Sequence, residues 1–215
     1  MQATEIMLAG ETLLLHPLRA VYWPRLQALL LCDLHIGKAG HFRRGGLPVP
    51  RLVNEANEER LRFLLLEWQP ARVLFLGDLF HSQHNNEWAD FCQLTEQFAN
   101  IQFELVPGNH DILQQKYYAE ARLQLHPEVL DISPFRLSHH PLPDAPAGRY
   151  NLSGHLHPGV RLRGKGRQRL RLPCFYFGAW QGVLPAFGQF TGLADVQPQA
   201  GDQIFVIAED TIISF

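Results

Sequence analysis

Five short clusters carry the residue types from which metal and acid/base chemistry is built: Asp33-Leu34-His35, Gly77-Asp78, Gly108-Asn109-His110-Asp111, Ser138-His139-His140-Pro141 and Gly154-His155-Leu156-His157. They supply carboxylate, amide and imidazole donors and no thiolate. A mixed oxygen and nitrogen donor set suits Mn, Fe, Zn or Co better than Mg or Ca. Six of the 11 histidines (35, 110, 139, 140, 155 and 157) fall in these clusters, and histidine both ligates metals and moves protons near neutral pH. A spacing of two residues, as in Asp33/His35 and His155/His157, puts both side chains on one face of a strand, so that at the strand end both reach one cavity. Glycines at 77, 108 and 154 let the backbone turn sharply and approach an ion or a phosphate oxygen. Singly, each histidine also reads as a satisfied core or capping residue, and Asp78 as a turn former. Jointly they read as a metal site, because burying so many polar side chains without ions is costly.

Such clusters need rigid elements to hold them. Short strands are expected at Ile6 to Leu8, Thr12 to Leu15, Ala20 to Trp23 and Ala28 to Cys32, the last running into Asp33. Residues 51 to 68 have helical apolar spacing, and Pro70 ends the helix. A buried strand Val73 to Leu76 then runs into Gly77-Asp78, a helix spans Asn86 to Phe98, and a strand Gln102 to Val106 runs into Pro107-Gly108-Asn109-His110-Asp111. This βαβαβ alternation predicts a layered α/β domain with ligands at the carboxyl ends of its strands. After residue 120 strand-like pieces dominate, at Val129 to Ile132, Phe135 to Ser138, Asn151 to Ser153, Gly159 to Arg163, Gln168 to Leu172, Ile204 to Ile207 and Ile212 to Phe215. No repeat or linker interrupts the chain, so residues 1–215 are read as one domain.

Composition bounds the rest. At 46% hydrophobic and 19% charged residues the chain has ordinary globular usage, which excludes a mainly disordered protein. No apolar run approaches the ~18 residues of a membrane span. The N-terminus, with Glu5 as its only charge before Glu11, lacks the basic start of a signal peptide, so a cytoplasmic protein without a membrane partner is expected. Cys32, Cys92 and Cys174 are odd in number and far apart, and read as reduced, mostly buried thiols.

A net charge of −2 argues against a uniformly basic nucleic-acid coat but hides one basic stretch. Arg161, Arg163, Lys165, Arg167, Arg169 and Arg171 alternate with Leu162, Gly164, Gly166, Gln168 and Leu170. With a hairpin turn at Gly164-Lys165-Gly166, most charges share one face, making a cationic ribbon for a polyanion or an edge protected from strand pairing. Lys38, Arg43 and Arg44 follow the first ligand pair, where they either grip phosphate or only add solubility. His41, His81 and His84 read equally as cleft residues or solvated loop residues, and His16 and His126 as structural. Phe42, Phe175, Tyr176, Phe177 and Trp180 are candidates for base stacking or for the core.

The ordered motifs resemble the calcineurin-like metallophosphoesterase superfamily, which implies a four-layer αββα fold: a double β-sheet sandwich flanked by helices, with a dinuclear metal centre. The stretches Leu31 to Pro50, Leu76 to Ser82, Gly154 to Val160 and Leu172 to Phe175 are similar to the bacterial ligase-associated DNA-damage-response endonuclease (PdeM) family. That resemblance implies a nuclease or phosphodiesterase acting on DNA, on single-stranded or end-containing substrates, with a functional link to a DNA ligase and a repair nuclease. A phosphoesterase for a small nucleotide or sugar phosphate is the alternative, and an inactive scaffold a third. Carried over position by position, it implies one metal held by Asp33, His35, Asp78 and His157 and a second by Asp78, Asn109, His139 and His155. Two divalent transition-metal ions are implied, Mn first, with Fe, Zn or Co possible, activating a hydroxide. His110 is implied as the acid or electrostatic partner of the leaving oxygen, with Asp111 orienting its ring. In the superfamily string of His, any residue, Pro, the ligand is His139, and His140 is left to touch substrate. Arg43, Arg44, Arg161, Arg163 and Arg167 complete the expected substrate contacts.

Overall fold

A computed structural model describes residues 1–38, 40, 52–81, 86–144, 148–164, 169–189 and 191–215. The first sheet has seven strands in chain order. β1 (Thr4–Leu8), β2 (Glu11–His16), β3 (Ala20–Trp23) and β4 (Ala28–Leu31) form an antiparallel meander. β5 (Arg72–Leu76), β6 (Gln102–Val106) and β7 (Leu123–Leu125) then continue in parallel from β4. The crossovers are α1 (Leu52–Trp68), α2 (Asn86–Gln97) and α3 (Gln115–Glu120).

The second sheet follows in chain order as β8 (Val129–Ile132), β9 (Phe135–Ser138), β10 (Tyr150–Ser153), β11 (Pro158–Arg163), β12 (Arg169–Phe177), β13 (Gln181–Val183), β14 (Ala194–Asp195), β15 (Gln203–Ala208) and β16 (Thr211–Ser214). Its spatial order is β14-β11-β12-β13-β10-β9-β8, with the β15-β16 hairpin attached to β12. β12 runs past the expected end at Leu172: its first half pairs with β11 and its second with β13 and β15. Pro173, which offers no N–H, sits where the partner changes.

The continuous apolar runs of β4 and β5 reflect burial on both faces. In β5, Leu74 and Leu76 face the second sheet and pack with Phe135, Leu137, Leu152 and Phe175, while Val73 and Phe75 face outward. There they meet Leu61, Leu64 and Leu65 of α1 and Trp88, Phe91 and Leu94 of α2, both triads at helical spacing. The double sheet with flanking helices is therefore present. α1, α2 and α3 cover the first sheet. The second sheet has a small apolar cluster of its own around Val160, Cys174, Ile204 and Val206. No helix among the described residues is long and apolar enough to cross a membrane.

Candidate metal centre

All five polar clusters lie directly after the carboxyl ends of neighbouring parallel strands, β4, β5 and β6 in one sheet and β9 and β10 in the other. The loops are tied to each other beyond the strands. Asp33 N donates to Gly77 O (3.0 Å), His35 N to Asp78 O (2.9 Å) and Gly154 N to His139 O (3.0 Å). Eleven described non-glycine residues have positive φ, and five of them are Asp33, His35, Asp78, His155 and His157. A left-handed conformation costs an L-residue about 1–2 kcal/mol, so the strain collects at the cluster residues, as it does at functional sites. Glycine is required where the clusters touch: a Cβ on Gly77, whose φ is +78°, would collide with the His139 ring, and one on Gly154 with the Asp33 carboxylate.

The side chains fall into two groups that share members. Asp33, His35 and His157 form the first, and Asp33, Asp78 and His139 lead into the second, each with potential ligand atoms within 4.8 Å of one another. Asp78 faces both ways: Oδ2 is 3.8 Å from His35 Nε2, and Oδ1 is 3.4 Å from His139 Nε2. His139 Nε2 also stands 3.2 Å from Asn109 Oδ1 and 3.1 Å from His155 Nδ1. His139 Nδ1 lies 3.1 Å from the Leu76 carbonyl, which can only accept, so Nδ1 carries the proton and Nε2 presents a lone pair. Three lone-pair atoms, His139 Nε2, Asp78 Oδ1 and Asn109 Oδ1, then converge with no proton between them. Atoms about 2.1 Å from one ion, at angles of about 90–110°, stand roughly 3.0–3.4 Å apart, and these contacts fall in that range.

The other polar atoms fit a cation as well. Both ring nitrogens of His35 are buried without a hydrogen-bond partner, an arrangement that costs about 1–3 kcal/mol per group. Burial, with help from Lys38, lowers the His35 pKa to about 3, so the ring is neutral and able to ligate at neutral pH. Burial alone would raise the Asp33 pKa, but His157, His139 and the Cys32 thiol outweigh it and hold the carboxyl below its usual value. Burial first, and then His140 and His139, lowers the His155 pKa. These are the protonation states that divalent transition metals require, and the donor set fits them.

Around this centre the remaining expected residues divide. The His110 ring lies 4.0 Å from Asp78 Oδ2, and His110 N donates to Asp78 Oδ1 (3.0 Å). Asp111 does not orient that ring. Its carboxylate accepts the amides of Phe80 (3.1 Å), in the loop after β5, and of Gly108 (2.8 Å), in its own loop after β6, and so ties the two loops together. Burial raises its pKa to about 6 despite those bonds. His140 is exposed, with its ring 4.1 Å from that of His155, and joins His139 and His155 in a third possible ligand group. His81, left open by the sequence, has its ring 4.4 Å from the His110 ring and tilted to it by 39°. Lys38 is close enough for Asp33 and Asp78 to stabilise its ammonium against the burial that lowers its pKa.

The basic stretch folds as a β11-β12 hairpin with Arg161 opposite Arg171 and Arg163 opposite Arg169. Asp195 of β14 clamps two of these charges, 2.5 Å from Arg161 and 2.7 Å from Arg171. Alternation along one hairpin could not reveal a partner arriving from 24 residues away. Phe175 and Phe177 are core residues, not stacking platforms. Arg43, Arg44, Arg167, Lys165, His41, Phe42 and His84 lie outside the described residues. The sequence also gave no sign of Arg19 and Arg60, which hold the loop against Asp33. Arg19 donates to Ala186 O and Gly188 O, and Arg60 to Phe187 O and Leu18 O. Phe187 N and Gly188 N in turn donate to Cys32 O and Asp33 O. A pair of arginines bonded to carbonyls leaves no spacing pattern to read.

Residues 29–169 match the family model of the calcineurin-like phosphoesterases. Over its whole length the chain is similar to the nuclease MPE of Pseudomonas putida, with 30% identity, 100% of both chains covered and a TM-score of 0.85. It also aligns with Yfce, a phosphoesterase from E. coli, at 13% identity and a TM-score of 0.45, over 86% of this chain and 96% of that one. No curated protein sequence matches the chain.

Proposed function

The chain belongs to the calcineurin-like phosphoesterase family and is a phosphoesterase, and from that premise we propose that it is a nuclease cleaving phosphodiesters in DNA, with a preference for single-stranded or end-containing substrates. The observation that carries this reading is the Asp78 carboxylate, with one oxygen turned to the His35 group and the other to the His139 group, in a chain similar throughout to a nuclease. Asp33, His35, Asp78 and His157 would hold one divalent transition-metal ion, Mn first, and Asp78, Asn109, His139 and His155 the other. Bound there, the pair would supply Lewis acidity and a hydroxide nucleophile at neutral pH.

The chain's own groups do the rest. His110 stands at the edge of the centre with its ring exposed by 41%, where it can reach a leaving oxygen and give it a proton. His81 packs against that ring. Asp111 fixes the loop rather than the ring, so His110 is placed by its backbone bond to Asp78. Lys38 adds positive charge beside the carboxylates, where a phosphate would be drawn in. The resemblance of the motifs extends the proposal to a cytoplasmic role in DNA repair alongside a ligase.

A second reading, hydrolysis of a small nucleotide or sugar phosphate, is favoured by the Asp195 clamp, which spends two ribbon arginines on an internal partner. Mn-loaded protein assayed on a chromogenic diester, a phosphomonoester, and single- and double-stranded DNA separates the two. Cleavage of the diester and of single-stranded DNA is expected. Turnover confined to the monoester would sink the nuclease reading.

A further inference from the structure

His140 follows His139 directly in the loop after β9 and is exposed. Its ring centre lies 4.7 Å from that of His139 and 4.1 Å from that of His155. A ligand nitrogen from each of the three lies within 4.8 Å of the other two, and His139 Nε2 and His155 Nδ1 are already 3.1 Å apart. One ion with bonds of about 2.0–2.1 Å needs its ligand atoms about 3.4 Å apart, so only the His140 ring has to close in. Its backbone is braced: the His140 carbonyl accepts the Ser138 hydroxyl (2.7 Å), whose oxygen accepts the Asn151 side-chain amide (2.9 Å), and Asn151 Oδ1 accepts Leu142 N (3.1 Å). An exposed ring on a fixed backbone changes rotamer within nanoseconds.

Two ligand sets therefore share two atoms. In one, His139 Nε2 and His155 Nδ1 join the side-chain oxygens of Asp78 and Asn109, a mixed set that suits Mn. In the other they join His140, and three imidazoles with an open fourth position suit zinc, which binds nitrogen donors more tightly than Mn does. Each of the shared nitrogens has a single lone pair, so the two sets cannot be filled together.

We propose that His139, His140 and His155 form a three-imidazole zinc site whose filling takes both nitrogen ligands from the second manganese ion, so that zinc switches the centre off. The inference rests on the two-ion centre of the preceding reading and does not depend on DNA being the substrate. With zinc in place, only Asp78 and Asn109 are left to the second manganese ion, and two oxygens shared with its neighbour's ligand set hold it weakly.

The test dialyses Mn-loaded protein against zinc buffered over a range of free concentrations, and counts bound zinc and manganese alongside turnover of a chromogenic diester. Wild type should take up one zinc ion, give up one of two manganese ions and lose turnover over the same zinc range. His140→Phe, which keeps a ring and has no ligand nitrogen, should need ~10- to 100-fold more zinc for all three changes, since a direct ligand counts for at least as much as the outer-shell partners whose loss costs that factor. His140→Cys, which restores a zinc donor, should bring the midpoint back toward that of wild type. The midpoint is internal to each variant, so an effect of His140 on substrate cancels. A wild type that holds two manganese ions through the zinc range, or a His140→Phe midpoint equal to that of wild type, overturns the inference and leaves the two-ion centre standing. A wild type that holds fewer than two manganese ions before zinc is added overturns both.

Discussion

The carbonyl of Leu76, at the end of β5, receives the Nδ1 proton of His139, at the end of β9, across 3.1 Å. A backbone group of one sheet thereby fixes which nitrogen of a second-sheet histidine is free to ligate. His140 has no such anchor and is exposed. We therefore expect His139→Ala to lose about one metal ion per chain and His140→Ala to keep both, with elemental analysis as the measure. The opposite pattern would assign the ligand to His140.

Asp78→Ala should lose most of the bound metal, because both of its oxygens face histidine ligands. Asp78→Asn should lose less, retaining one donor oxygen. An unchanged metal content in Asp78→Ala would refute a shared carboxylate.

His110→Ala should keep its metal and lose ~10²- to 10⁴-fold in turnover on substrates with an alkoxide leaving group. With a nitrophenolate leaving group, which hardly needs a proton, the loss should be far smaller. Equal losses on both would leave His110 as an electrostatic or positioning group.

Asp195→Asn should release Arg161 and Arg171 and strengthen binding of single-stranded DNA, making its salt dependence steeper by ~0.7 log units for each arginine that then meets a phosphate. Titration at several salt concentrations reads the slope. If it does not move, the hairpin is a solvated edge.

His16 is fully buried beside Trp68, and burial lowers its pKa to about 4 from 6.5. The unfolded chain takes up a proton there first, so this residue's contribution is present above pH 6.5 and is lost as pH falls toward 4. Replacement by Asn should flatten the fall in unfolding free energy over that range, by up to about 3 kcal/mol. Denaturant titrations at pH 7 and pH 5 on both proteins measure the difference, and parallel pH dependences would show that His16 is not the group responsible.

The strands were legible where burial is complete on both faces, as in Leu29 to Leu31 and Val73 to Leu76, because such runs admit little but a central strand. Helices α1 and α2 were legible from apolar spacing. The six-residue α3 and the three-residue β13 were not, since they are too short to show a period and β13 owes its existence to partners on both sides, β10 and β12. The site itself was legible as donor types at strand ends. Its strain was not, because nothing in the letters of Asp33 or His157 announces a left-handed backbone. Nor were long-range partners such as Asp195 for Arg161, which depend on how the second sheet is ordered.

The candidate ligands are divided between the sheets: Asp33, His35, Asp78 and Asn109 from the first, and His139, His155 and His157 from the second. Metal ions there would act as a clasp on one end of the sandwich, added to the apolar packing that joins the sheets along their length. Their binding energy would count toward holding the molecule together, since a ligand that binds only the folded chain stabilises it. In a cell starved of transition metals, such a protein would open more often and be cleared by proteases sooner. Metal supply would then set how much of the protein survives as well as how fast it works.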